Sequence, residues 1–131
     1  MIVAGVGCRR GAPAPDIEAA VRAALARANI ATGALDVIAT IVAKRGEAGI
    51  QAAAEKLGVS VVVVADADVK TAIDRTETRS ERVLALAGVP SVAEAAALAA
   101  AGPASRLISP RLVVGAATCA LAASGQTPRD A

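Results

Sequence analysis

A chain of 131 residues, 55% hydrophobic and carrying a net charge of +2, suits one domain with a substantial core and is too mildly basic to mark a nucleic-acid surface by itself. It has no Phe, Tyr or Trp, so the core is built from Ala, Val, Leu and Ile, and the aromatic platforms that stack single-stranded bases are missing. It has no His, which excludes Ser–His and Cys–His nucleophile pairs, imidazole acid–base catalysis and His metal ligands within the chain.

Ile2 to Val6 is a short apolar run that ends in glycines, as a buried parallel strand does. The stretch GVGCRRG, Gly5 to Gly11, reads as a loop between this strand and a helix. Pro15 suits the helix's first turn, Asp16 and Glu18 suit its N-terminus, and Ile17, Val21, Leu25 and Ala28 recur at helical spacing. Asn29 and Gly33 bracket the exit. Asp36 to Val42 predicts a second strand. A second helix follows from Glu47, with Ile50, Ala54 and Leu57 on one face and Gly58 as its stop. Val59 to Val64 is β-branched almost throughout and predicts a strand covered on both faces. Asp66 to Arg82 is polar and predicts one short helix and a loop, with another short helix around Glu81 to Leu86. In GVPSVAEAAALAAAGP, Ser91 and Glu94 form an S-x-x-E capping box, and Gly102-Pro103 stops an Ala-rich helix. That helix is interrupted by Glu94 and dominated by Ala, which reads as a buried helix rather than a membrane span. Arg106 to Ser109 and Val113 to Leu121 predict two last strands on either side of Pro110.

Strand, helix, strand, helix, strand predicts a single-domain three-layer α/β/α sandwich around a mostly parallel sheet of about five strands, the last ones forming an antiparallel edge. The domain is expected to span 1–123, with a frayed polar tail over 124–131. Two cysteines are too few for a disulfide scaffold, and the N-terminus lacks the n- and h-regions of a signal peptide, so a cytoplasmic domain is expected.

Open α/β sheets bind ligands outside the carboxyl ends of their parallel strands. There the sequence puts Gly5, Gly7, Cys8, Arg9, Arg10 and Gly11 after the first strand, Lys44 and Arg45 after the second, and Asp66 and Asp68 after the third. Glycine, a helix N-terminus and paired cations suit an anion, because arginine grips a carboxylate or phosphate with two parallel bonds. The G-x-G-x-x-x-G spacing is one residue longer than a dinucleotide fingerprint. The second strand also ends in Lys-Arg instead of an acid, which leaves only an NADP-type variant of that reading. Beside two guanidinium groups the Cys8 thiol is expected to have a lowered pKa. Its two readings are a packed small residue and a nucleophile. Asp66 is the other catalytic candidate, as a base. Its alternative role is capping the following helix. Cys119 reads as core.

The run Gly5-Val-Gly-Cys-Arg-Arg-Gly11 after an N-terminal strand resembles the GxGCRRG signature of the cobalamin-biosynthesis CobE / CbiG C-terminal-domain family. Gly88-Val-Pro-Ser-Val-Ala-Glu-Ala-Ala96 resembles that family's later segment, and Ala39-Thr-Ile, Lys44 and Glu47-x-Gly49-Ile50 its middle region. Near the end, Pro110-Arg111 stands where the family carries a lysine, so Arg111 takes over the cationic role. The resemblance implies cobalamin biosynthesis. The family's longer members open the lactone ring of cobalt-precorrin-5A and release acetaldehyde. This chain, which starts at its first core strand, looks like the stand-alone CobE type.

Corrin intermediates are apolar macrocycles rimmed by acetate and propionate groups. The resemblance therefore implies that Arg9, Arg10, Lys44 and Arg111 meet carboxylates, while Gly5 and Gly7 keep the floor low under the ring. The expected role is a carrier or accessory protein for a corrinoid or precorrin intermediate. Two alternatives are a hydrolase using Cys8 or Asp66, and a partner of other cobalamin-biosynthesis enzymes bound through the Ala-rich helix. No cofactor, metal site, nucleic acid or membrane is expected.

Overall fold

The computed structural model describes residues 1–73, 92–102 and 104–124. Along the chain these form β1 (Ile2–Cys8), α1 (Ala14–Arg27), β2 (Val37–Ile41), α2 (Ala48–Leu57), β3 (Ser60–Val64), α3 (Asp66–Ile73), α4 (Val92–Ala101), β4 (Arg106–Val114) and β5 (Ala117–Ala123). The five strands make one sheet in the order β3-β2-β1-β5-β4. β1, β2 and β3 are mutually parallel, and β5 runs antiparallel to both β1 and β4. The mixed α/β single domain is thus parallel on one side of β1 and antiparallel on the other.

β1 alternates between two cores. Ala4 and Val6 join Ile17, Val21 and Leu25 of α1 and Ile50 and Ala54 of α2. Val3 faces the opposite way and joins Val69 of α3 and Ala95 to Leu98 of α4. Both parallel crossovers place their helices on one face, and the chain returns over the other with α3 and α4, giving three layers.

Several sequence expectations change in detail. Gly5 to Cys8 lie inside β1, so only Arg9 onward is the turn, because β1 stays paired with β5 as far as Cys8↔Ala117. β3 is an edge strand, which leaves Val62 and Val63 exposed instead of covered on both faces. Pro110 does not separate the last strands. It sits at an irregularity within β4, where an edge strand tolerates a missing N–H, and the turn falls at Gly115-Ala116. Just past β5, Ser124 donates its N–H to the Met1 carbonyl at 3.1 Å. The helix expected around Glu81 to Leu86, the Ser91 half of the capping box and the tail from 125 lie outside the described residues.

The layers approach closely at Gly5. A Cβ there would come within 2.0 Å of the Ala93 carbonyl oxygen and 2.6 Å of the Ala97 nitrogen, so the α4 backbone rests directly on β1. Replacing Gly5 by Ala must lift the helix. Overpacking of this kind costs roughly 1–3 kcal/mol or more. Gly5→Ala is therefore expected to lower the urea midpoint sharply, or to abolish folding. It should do so by more than Gly11→Ala, which meets no atom within 4 Å and suffers only from its φ of +74°. With no Trp or Tyr in the chain, far-UV circular dichroism is the readout.

Candidate functional site

β1 and β2 part before they end. Their last paired residues are Gly5 and Ala39, after which β1 follows β5 while β2 follows β3 to Ile41↔Val64. The Thr40 hydroxyl, fully buried, bridges the parting strands by donating to the Val6 carbonyl at 3.0 Å. The carboxyl edge therefore opens between the Cys8 end of β1 and the Ile41 end of β2. In an open sheet, this kind of gap is where ligands are received.

The turn on the β1 side is held by its backbone. Arg9 N–H donates to the Ala116 carbonyl at 2.9 Å and Ala12 N–H to the Arg9 carbonyl at 3.0 Å. Ala116 is itself fixed, because its N–H donates to the Asp16 carboxylate at 3.0 Å. Gly11 N–H donates to Oε1 of Glu47 at 2.9 Å. Gly49 lets α2 close on the same turn, since a Cβ there would lie 2.3 Å from the Ala12 carbonyl oxygen. The side chains of Arg9 and Arg10 take no part in this bracing. Both residues are exposed, and their side chains make no hydrogen bond or ion pair with a described residue. Across the gap, Lys44 ends a short 3-10 turn, Val42–Lys44, directly after β2 and is half-buried.

The structure thus brings Cys8, Arg9, Arg10, Gly11 and Lys44 to one edge. Gly5 and Gly7 lie apart from that surface. Both are buried in β1, Gly5 beneath α4 and Gly7 facing Val92 and the Thr118 hydroxyl, so their missing side chains make room for the protein's own packing. Arg111 sits on edge strand β4, two strands from β1 and so about 10 Å away laterally. Its N–H donates to the buried carboxylate of Glu94 at 2.9 Å. Asp66 opens α3 at the end of β3 and is exposed, also two strands from β1.

Cys8 departs from the sequence expectation. Partial burial raises its thiol pKa above the ordinary 9.0, and the Glu47 carboxylate raises it further, while Lys44 offsets part of this. Arg9 and Arg10, which were expected to lower it, are not among the groups that shift it. Cys119 is fully buried, and burial pushes its thiol up to about 12. Neither environment favours a thiolate at neutral pH.

A feature with no local signal in the sequence lies beside this edge. Ile41, Val69, Ile73 and Val92 line a mainly apolar cavity of about 460 Å³, with Asp66 and Lys70 at its border. Its walls come from β2, α3 and α4, elements that no single window of sequence connects. Ile41 is also the residue from which the Lys44 turn departs, so the cavity and that cation share one corner of the fold. Among the described residues no helix is long and apolar enough to cross a membrane.

Residues 2–122 match the family described as Cobalamin synthesis G C-terminus. Protein CobE of Sinorhizobium sp is 38% identical over 121 residues, 92% of this chain and 79% of that protein. The crystal structure of cobalamin biosynthesis protein chiG from Agrobacterium tumefaciens is 44% identical, with a TM-score of 0.77 over 96% of this chain and 100% of that one. The crystal structure of CobE, a protein from the cobalamin biosynthetic pathway, is 33% identical, with a TM-score of 0.82 over 93% of this chain and 89% of that one.

The thiol environments give a chemical test of the site. Alkylation of the native protein by iodoacetamide is expected to modify Cys8 alone, with a rate that rises through an inflection above pH 9.0. Cys119 should react only after unfolding. An inflection below that value would restore the activated-nucleophile reading of Cys8.

Proposed function

The chain belongs to the cobalamin synthesis G C-terminus family, and from that premise we infer that it binds a polycarboxylate corrin intermediate as a cytoplasmic carrier or accessory protein. It is a cobalamin biosynthesis protein of the CobE/CbiG type, and the finer role is drawn from one observation. Arg9 and Arg10 are held on a turn whose backbone is tied at Arg9, Gly11 and Ala12, while their guanidinium groups have no partner among the described residues. A carboxylate-rimmed ligand meets such a turn without first breaking an ion pair. Each charge-assisted bond to a carboxylate contributes up to about 1.5–3 kcal/mol, and well under that where solvent screens it.

Lys44 supplies a third cation from the opposite lip. The apolar cavity beside Ile41 suits the hydrocarbon of a macrocycle edge, which a protein without aromatic rings has to meet with aliphatic side chains. With no His in the chain, a cobalt ion carried in the ligand receives no imidazole from this protein. Arg111 is left out of this reading because of its place two strands away.

The alternative, hydrolysis of a ring-A lactone with release of acetaldehyde, asks for a nucleophile or base at the same edge. The raised thiol of Cys8 favours the carrier, which leaves Asp66, at the border of the cavity, as the base the hydrolase reading would need.

The test is a titration of the purified protein against a cobalt-free and a cobalt-containing corrin polycarboxylate, followed by the ligand's visible absorption. Stoichiometric binding with unchanged ligand mass is expected. The variant carrying both Arg9→Ala and Arg10→Ala should bind about tenfold or more weakly, a loss of about 1.4 kcal/mol, while its far-UV dichroism stays native. Equal affinity in a folded double variant would overturn the grip. A mass change or acetaldehyde in solution would make the protein an enzyme.

A further inference from the structure

The N–H of Gly11 belongs to the turn that carries Arg9 and Arg10, and it donates to a carboxylate supplied by the protein itself. Oε1 of Glu47 accepts that bond at 2.9 Å from a position 36 residues further along the chain. The bond is not a helix cap. Glu47 is the N-cap residue of α2, and its side chain makes no capping bond there. Nor is it the only tie between the two segments, since Gly49 already seats α2 on the Ala12 carbonyl and Arg9 is held by Ala116. Glu47 is half-buried and Gly11 is exposed, so the bond lies at the surface of the edge. A carboxylate thus sits on an open backbone amide, beside the turn's two exposed arginines, with Lys44 following β2 three residues before it.

We propose that Glu47 is a resident stand-in for a ligand carboxylate, occupying the Gly11 amide in the free protein until a carboxylate of the incoming polyacid displaces it. The proposal rests on the reading of Arg9, Arg10 and Lys44 as a carboxylate grip, and it adds a selectivity that the cations alone do not have. A tethered carboxylate competes at an effective concentration on the order of millimolar. A ligand with a single carboxylate gains too little at the amide to overcome that. A polycarboxylate engages the arginines with its other groups at the same time and so can displace Glu47. The amide keeps a partner in both states, and the exchange leaves no backbone donor unpaired.

The experiment follows the Gly11 amide resonance by nitrogen–proton correlation NMR in the intact chain, alongside absorption titrations. In the native protein the Gly11 resonance is expected to shift on saturation with a corrin polycarboxylate and to stay unmoved by acetate at the same carboxylate concentration. Glu47→Gln keeps an oxygen acceptor for the amide but removes the charge. It should bind the corrin polycarboxylate roughly two- to fivefold tighter, the range expected for removing one exposed like charge. Glu47→Ala vacates the amide, and acetate should then shift the Gly11 resonance.

Equal or weaker corrin binding by folded Glu47→Gln, together with no acetate response in Glu47→Ala, would overturn the proposal and leave Glu47 as a brace for the turn. If the Arg9, Arg10 double variant binds as the native protein does, it is the grip reading that has failed. The acetate arm needs no corrin and still decides the role of Glu47.

Discussion

A core without aromatic rings closes only if its layers come nearly into backbone contact, and the contact of α4 with β1 at Gly5 is where this one closes. Apolar burial contributes about 25 cal/mol per Å², so an Ala-rich helix gains little from its side chains alone. Its gain has to come from dense contact across the interface, which falls off steeply once a gap opens. Gly5 allows this by presenting no Cβ to the carbonyl of Ala93. With α4 seated, Ala93 and Ala95 to Leu98 are buried, Val92 comes over Gly7, and the Glu94 carboxylate reaches the Arg111 N–H in β4. From the opposite layer, Arg27 of α1 donates to the Ser109 hydroxyl at 2.9 Å. The irregular middle of β4, around Pro110, is thus held from both sides.

The same device recurs on the other face with a different result. Gly49 brings the start of α2 against the Ala12 carbonyl, and that contact delivers Glu47 to Gly11 and places the turn after β1 next to the turn after β2. The N–H groups of Arg9 and Gly11 are then taken up by Ala116 and Glu47, with Asp16 holding Ala116 in place. A turn whose backbone is pinned in this way presents its side chains from a fixed base. Ordering them around a ligand then costs only side-chain freedom.

Most of the element order was legible because the signals were local. The β-branched run of Val61 to Val64, the helical spacing of Ile17, Val21 and Leu25, and the stop at Gly58, whose φ is +74°, each report on their own neighbourhood. The position of Arg9, Arg10 and Lys44 just past the ends of β1 and β2 was legible as well, because cations flanked by glycine after an apolar run stand out in the sequence. Gly5 and Gly7, expected to keep the floor low under a ligand, make room in this fold for α4 and for Val92 and the Thr118 hydroxyl. A glycine that admits a ligand and one that admits a helix look alike until the helix is placed, although their alternation with Val6 put both on one face of a strand. The Cys8 thiol was read from its sequence neighbours Arg9 and Arg10, whereas its surroundings are set by burial and by Glu47, 39 positions away. The apolar cavity could not be read at all, since α3 and α4 meet there only through the fold.

The charges at the carboxyl edge are not distributed as the near-neutral total suggests. Asp16 and Glu47 are drawn into hydrogen bonds with backbone amides, while Arg9 and Arg10 stay exposed beside them and Lys44 faces them across the gap. Further along the same edge, exposed Asp66 and Asp68 begin α3. Among the described residues the edge therefore carries cations at β1 and β2, and at β3 the carboxylates Asp66 and Asp68 with Lys70, around the border of the apolar cavity. A polyanion approaching such an edge is drawn to one end and turned away from the other, and complementarity of this kind fixes orientation more than it adds affinity. In the proposed carrier reading, a ligand with an apolar body and a carboxylate rim would turn its rim to Arg9, Arg10 and Lys44 and its remaining face to the aliphatic residues Ile41, Val69, Ile73 and Val92.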